Sequence, residues 1–526
     1  MMKRVSSVCI LLTLYLALPA SKSFAEISLP RIFADNMVLQ RDIPIPVWGG
    51  AGKGEKITVA FDGNVASTTA DANGRWMVRL PAMTAGNDNR ELTVNGTDSP
   101  AVTIRNVVVG DVWLCSGQSN MEWVVGGCNT TDGTDADFPD IRFARVSKVM
   151  APEPTEDVQL DRPWSTCQNG TPNGCTAVGF YFAVRLHKEL GIPIGLIDDA
   201  WGGSAIDPWI PPNGFEAVKE MQERGKNAGR NLENYRKALP GYIDKIEAWV
   251  QDSRRRLSED RAVQPLPGAP AVDNTSGMFN AMIAPLIPYG IRGMLWYQGE
   301  SNAGEGAFYF FKQQALVEGW RGLWNQPGEA RDFPFYFVQL ANFLEANENP
   351  QGDPGGWPKI RDAQRKSLEI KNSGMAVTID IGEAQDIHPR NKFDVGERLA
   401  LWALAKDYGR KDLVFSGPLY KSMTVEGNAI RIAFDHTGSG LMVGRKEGRS
   451  PTVEVLNAVP CRFAISGADQ KWIWAEAKID GDTILVSAPE VAEPVAVRYA
   501  WSNNPEGANL YNREGLPASP FRTDDW

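Results

Sequence analysis

Residues 112–123 read VWLCSGQSNMEW, an apolar run that breaks without transition into Ser-Gly-Gln-Ser-Asn. With the preceding VVVGD it is apolar at consecutive positions, as a strand buried on both faces must be, and its end carries two serines and an amide pair. Runs of the same kind recur along residues 107–408, in PIGLIDDAW, IRGMLWYQGE, FPFYFVQLA and GMAVTIDIG, with helix-favouring stretches such as AVGFYFAVRLHKEL between them. Strands alternating with helices predict a mostly parallel sheet covered on both faces, an α/β fold.

Outward from this core the pattern changes. Residues 26–105 hold short alternating segments, IPVWG, KITVAF, RWMVRL and ELTVNG, between Gly, Asn and Asp turns, which predicts an N-terminal β-sandwich-like domain. The α/β domain then occupies residues 106–410, with a charged helical insertion near 212–257 that breaks close to Pro240. From 411 to 526 alternating strands return (AIRIAF, TILVSA, VAVRYAW), so a second β region closes the chain. A length of 526 residues, far beyond one ordinary core, suits two or three such units.

Residues 1–25 open with Lys3 and Arg4, continue through a short apolar run and reach SKSFA, where Ser23 and Ala25 fit a small-x-small cleavage site. This reads as a signal peptide cut after Ala25, the run being shorter than the roughly 20 apolar residues of a span. The expected location is periplasmic or secreted. Cleavage removes Lys3, Arg4 and Lys22 and no acid, moving the formal charge from −10 to −13, which argues against nucleic acid or anionic membrane as partner. Five cysteines remain, an odd number; Cys167 and Cys175 flank QNGTPNG, a turn-prone stretch able to bring their sulfurs together. No Cys-x-x-Cys or His-rich cluster points to a metal.

Ser119 stands at the end of the opening strand, where open α/β sheets bind ligands. With Glu122 three residues on, it also matches a helix capping box, and on the tetrapeptide alone that reading is the stronger. A serine nucleophile needs a base, and the chain offers three histidines, His187, His388 and His436. His187 falls in an amphipathic helix and His436 in a turn after a late strand. His388, in TIDIGEAQDIHPRNK, follows an apolar strand, with Asp386 two residues before it and Pro389 favouring extended backbone. Residues two apart in extended chain share a side, so Asp386 is placed to hold the imidazole. A third cluster, WYQGESNA, offers Gln298 and Asn302 as amide donors to an oxyanion and Glu300 as an acid; a fourth, DAWGGSAIDPW, offers backbone N–H groups at Gly202 and Gly203.

Together these residues resemble the sialate O-acetylesterase and acetyl-xylan esterase group of the SGNH (GDSL-like) hydrolases, carbohydrate esterase family six in particular. The resemblance rests on GQSNM, FADNMVLQRDIPIPVWG, GMFNAMIAPLIPYGIRGMLWYQGESNA, PFYFVQLANF, IRDAQR, DIHPRNKFDVGERLALWALA and VRYAWSNNPEGANLYNREGLPASPF. It implies a flavodoxin-like SGNH sheet flanked by N- and C-terminal all-β regions, a serine esterase without cofactor or metal, and an O-acetylated sugar or glycan as substrate, sialic acid before acetylated xylan. It implies Ser119 as nucleophile, His388 as base and Asp386 as its orienting acid. The oxyanion donors it implies are the N–H groups of Ser119 and Gly203 with Gln298 or Asn302, and Gln118 beside them. Some relatives also let the glutamate at the position of Glu300 reach the histidine. This chain departs from the group's Gly-Asp-Ser, Gly-x-Asn and Asp-x-x-His, carrying Gly-Gln-Ser, Gly-Glu-Ser-Asn and Asp-x-His instead.

Overall fold

The strand that ends at Gly117 begins at Val102, and its 16 residues organise the molecule. Its first half pairs antiparallel with Gly86–Gly96 and parallel with Val38–Gln40; its second half lies between Ile194–Ala200 and Gly293–Tyr297, parallel to both. The computed structural model describes residues 26–271 and 273–526, so the expected signal peptide lies outside the described residues.

The central sheet runs in the order Ser373–Ala376, Phe335–Val338, Gly293–Tyr297, Val102–Gly117, Ile194–Ala200, Asp137–Val146 and Leu160–Gln168. Only the last pair is antiparallel. The chain builds one side of Val102–Gly117 and then crosses to the other, so this strand is the topological switch point, and its carboxyl end opens on a crevice. Burial on both faces explains the unbroken apolar run. Trp113 meets Phe182 of helix Ala177–Leu190 on one face; on the other, Trp296, in register with Ser116, meets Trp320 of helix Tyr309–Trp324.

IPVWG, KITVAF, RWMVRL and ELTVNG are all strands or parts of strands. Because Val102–Gly117 is continuous across residue 105, Ile57, Val59 and Leu92 share one apolar core with Leu114 and Leu196. The C-terminal β region has a separate core around Ile430, Ile465, Val497 and Phe521.

One expectation changes. The helix of the insertion does not break at Pro240: Gln222–Ser258 runs through it for 37 residues, with Ser253 its only buried residue. A surface helix with water at its open carbonyls tolerates the lost N–H that would stop a packed one. Cys167 and Cys175 are brought together by the turn Thr171–Gly174, but as buried free thiols; burial and then the neighbouring Cys167 push the Cys175 thiol well up. No helix among the described residues is long and apolar enough to cross a membrane.

Candidate active site

Gly117 adopts φ +140, and a Cβ there would lie 2.2 Å from the carbonyl oxygen of Tyr297. Glycine therefore lets the chain turn in the narrow gap between neighbouring strands, where Gln118 N–H donates to Tyr297 O at 2.9 Å and Trp201 N–H to Gly117 O at 3.0 Å. Ser119–Glu122 follow as one helical turn whose N-cap is Gln118, with no side-chain cap. The capping-box expectation fails: the Ser119 hydroxyl is 2.9 Å from His388 Nε2. Glu122, the other half of that box, accepts Gly202 N–H at 2.7 Å and pairs with Lys148.

Asp386 binds His388 twice over. Its Oδ1 accepts the His388 backbone N–H at 2.9 Å, a local Asx turn, and the same oxygen is 3.4 Å from Nδ1. The ring contact is thus longer than an ordinary hydrogen bond, and both side chains are partly open to water, 28% and 35% exposed. Trp123 stacks on the imidazole, centroids 5.2 Å apart and planes 16° from parallel. No sequence motif marks this tryptophan, although it is four residues beyond Ser119. The other histidines are elsewhere: His187 bonds Ile192 O at the end of its helix, and His436, in a left-handed turn, packs on Phe415 and Trp402.

The two amides of the third cluster separate. Gln298 is fully buried; its Nε2 meets Asn302 Oδ1 (2.7 Å), Gln118 Oε1 (3.1 Å) and Ser204 O (3.2 Å), and its Oε1 accepts Tyr309 OH. Such a group has no proton left for a substrate. Asn302 has its Oδ1 fixed by Gln298 and by Ile206 N–H at 3.0 Å, which leaves Nδ2 without a partner among the described residues. Gln118 uses Oε1 to accept from Ser301 N–H and Gly299 N–H, tying the third loop to the Ser119 turn.

Gly203 has φ +77 and open space where a side chain would stand, and Ser301 Oγ donates to its carbonyl. The N–H groups of Ser119 and Gly203 donate to nothing among the described residues. A Cβ on Gly202 would be 3.4 Å from that of Ser119, so the fourth loop packs directly on the Ser119 turn.

Glu300 makes no contact with His388. Its Oε1 accepts Asn120 Nδ2 at 2.6 Å, its Oε2 is buried without a hydrogen-bond partner among the described residues, and burial holds its carboxyl above the usual range despite the Asn120 bond. The acid therefore acts on Asn120, the residue after Ser119. Asn120 also meets Ile387 O and the ammonium of Lys392, a buried lysine that burial pushes down to about 8. Neither Asn120 nor Lys392 was singled out from sequence, though both lie inside the quoted stretches; their pairing spans 272 residues. Among the described residues no group of three or more His, Cys, Asp or Glu is placed to hold a metal ion.

A family model for a carbohydrate esterase, sialic acid-specific acetylesterase, matches residues 109–258, from within the central strand to the end of the long surface helix. The sialate O-acetylesterase of Rattus norvegicus is 30% identical over 93% of both chains, and that of Homo sapiens 29% identical over 93% of this chain and 90% of its own. A solved carbohydrate acetylesterase from Xanthomonas citri is 36% identical, with a TM-score of 0.76 covering 95% of this chain and all of that one. Likeness of this extent runs through the β regions as well as the sheet that carries Ser119 and His388: the chain belongs to the sialate O-acetylesterase family and is a carboxylic ester hydrolase of the carbohydrate-deacetylating kind.

Proposed function

We propose that the protein removes O-acetyl groups from sialic acid by a double displacement at Ser119. His388 Nε2 takes the hydroxyl proton as Oγ attacks the acetyl carbonyl, and the negative oxygen settles among the N–H groups of Ser119 and Gly203 and the amide of Asn302. The imidazolium then protonates the departing sugar oxygen, leaving acetyl-Ser119. Water, deprotonated by the same imidazole, attacks the acetyl group, and acetate leaves with Ser119 restored. Asp386, 3.4 Å from Nδ1, helps to orient the ring and to balance its transient charge.

The observation that carries this reading is the 2.9 Å contact from His388 Nε2 to a serine hydroxyl freed from capping, with unpaired donors on the two adjoining loops. Sialic acid is favoured by the names of the mammalian relatives. The 36% identity to a protein described only as a carbohydrate acetylesterase supports a second reading, an acetylated polysaccharide such as xylan. The N-terminal residues favour export to the periplasm or beyond.

Acetate release from 9-O-acetylated sialic acid, measured beside release from acetylated xylan, tests the substrate. A kcat/KM at least tenfold higher on the sialic acid is expected. Preference for xylan moves the assignment to the second reading, and inactivity of folded protein on every acetyl ester rejects both.

A further inference from the structure

His388 is held by the carbonyls on either side of it. Ile387 O accepts Asn120 Nδ2 at 3.0 Å, and Pro389 O accepts the Lys392 ammonium at 2.5 Å. The two donors are joined, Lys392 Nζ to Asn120 Oδ1 at 2.6 Å, and Asn120 also donates to Glu300 at 2.6 Å. One continuous set of hydrogen bonds therefore runs from the residue after Ser119 to both flanks of the base and on to the third loop. The remaining surface of the ammonium faces the rings of Trp123 and Tyr297, at 5.9 and 5.7 Å from their centroids, and Trp123 is the ring stacked on His388.

This is an unusual place for a lysine. Lys392 is wholly buried and has no carboxylate within ion-pair distance; its acceptors are an amide and a carbonyl. A buried cation so compensated carries a desolvation cost that packing alone does not justify. Meanwhile the Asp386 to Nδ1 contact, at 3.4 Å between partly exposed groups, is too long to fix the ring by itself.

We infer that Lys392, acting through Asn120 and the Pro389 carbonyl, is a positioning residue for the reaction: it locks the His388 loop onto the nucleophile turn so that Nε2 stays in line with Ser119 Oγ. Lys392 touches neither substrate nor reacting atoms, so its removal lowers the rate of serine activation and leaves ground-state binding unchanged. The inference rests on the serine-esterase reading given above.

The test compares wild type with Lys392→Met, Lys392→Gln and His388→Ala, reading kcat and KM on a chromogenic acetate ester, the rate of Ser119 labelling by a fluorophosphonate, and the melting temperature. Lys392→Met is expected to lower kcat and the labelling rate together by about 30-fold or more, with KM within about threefold and only a small change in melting temperature, since relief of the buried charge offsets the acceptors left at Asn120 and Pro389. Lys392→Gln, which keeps donors for Asn120 Oδ1 and Pro389 O, should recover at least a third of the wild-type kcat. A Lys392→Met enzyme with near wild-type kcat, or with its loss in KM, overturns the inference. So does a loss of rate matched by a fall in melting temperature that Lys392→Gln shares. Should Lys392→Met not fold, Lys392→Gln decides alone: kcat within threefold and unchanged KM support the positioning role, and a raised KM overturns it. His388→Ala separates the two levels, since an active His388→Ala rejects the esterase reading itself, whereas an inactive one beside a fully active Lys392→Met rejects only the role of Lys392.

Discussion

Gly117–Gln118–Ser119–Asn120 and Gln298–Gly299–Glu300–Ser301–Asn302 carry nearly the same side chains at the ends of neighbouring strands, and the fold gives matching residues opposite duties. In the first loop the serine is released to His388 and the asparagine is buried as a clamp on the base loop. In the second the serine is exposed and spends its hydroxyl on Gly203 O, while the asparagine's amide nitrogen has no partner among the described residues. Each loop's glutamine serves the other loop: Gln298 bonds Gln118, which receives the N–H groups of Gly299 and Ser301. Residue type thus fixes what a loop is able to offer, and the partner each group meets decides what it does.

The largest break in this comparison comes from the serines. Ser119→Ala should lower kcat by about 10³-fold or more without loss of stability, the residue of activity coming from oxyanion donors and substrate positioning. Ser301→Ala removes one hydrogen bond to a carbonyl near water and should leave kcat within about threefold. Steady-state kinetics on one acetate ester measures both; equal losses would dissolve the distinction between the loops.

The amides give the next largest effect. Asn302→Ala is expected to cost about 10²-fold in kcat, the magnitude of one lost oxyanion donor, and roughly 1–2 kcal/mol of stability, because the buried Ile206 N–H and Gln298 amide lose their acceptor. Gln298→Leu strands several buried polar groups at once, so it should lower stability by roughly 3 kcal/mol in a denaturant melt as well as slow the reaction through a misplaced Asn302. If Gln298→Leu proved stable and Asn302→Ala fully active, the donor would have to be sought elsewhere.

These partitions show where sequence reading stops. The α/β class, the strand ends and the Asp-x-His pair were legible because each is a local pattern: apolar runs of strand length, a polar turn after them, two residues separated by one. The contact of Ser119 with His388 was not, since a capping serine and a serine facing a base look alike over four residues and only the arrival of His388 distinguishes them. Gln298 and Asn302 were indistinguishable until Tyr309, Ser204 and Ile206 were seen to take up all but one amide group. The contact between Asn120 and Lys392 depends on how two distant loops meet, and periodicity carries no information about that. Pro240 misled for the converse reason: a local rule for packed helices was applied to one lying in water.

Smaller effects distinguish the two acids. Asp386→Asn keeps an oxygen for the His388 N–H, so the turn survives, but it removes the charge beside Nδ1. For a triad whose acid is buried and tightly bonded the loss is about 10⁴-fold. Here the carboxylate is 35% exposed and 3.4 Å away, its field screened by water, and a loss of about tenfold to thirtyfold in kcat is expected.

Glu300→Gln should change kcat least, within about threefold, because the carboxyl meets Asn120 rather than the imidazole and an amide oxygen can accept the same bond. The double variant with Asp386→Asn should then equal the product of the single effects, whereas a loss well beyond that product would mean the two acids share the imidazolium after all. Stability gives the independent reading. Burial raises the folded-state pKa of Glu300 more than the Asn120 bond, the adjacent backbone N–H groups and the Lys392 charge lower it, so folding at neutral pH either takes up a proton or buries a charge at net cost. The sign follows: the stability associated with this group is fully present below its unfolded pKa of about 4.3 and is lost as pH rises through the higher folded value. Glutamine carries no such loss. The melting temperature of Glu300→Gln relative to wild type should therefore climb between pH 4 and pH 7 while kcat stays nearly constant. A gap that stays flat or narrows with pH would place a compensated carboxylate at Glu300 and return it to the list of groups able to steady His388.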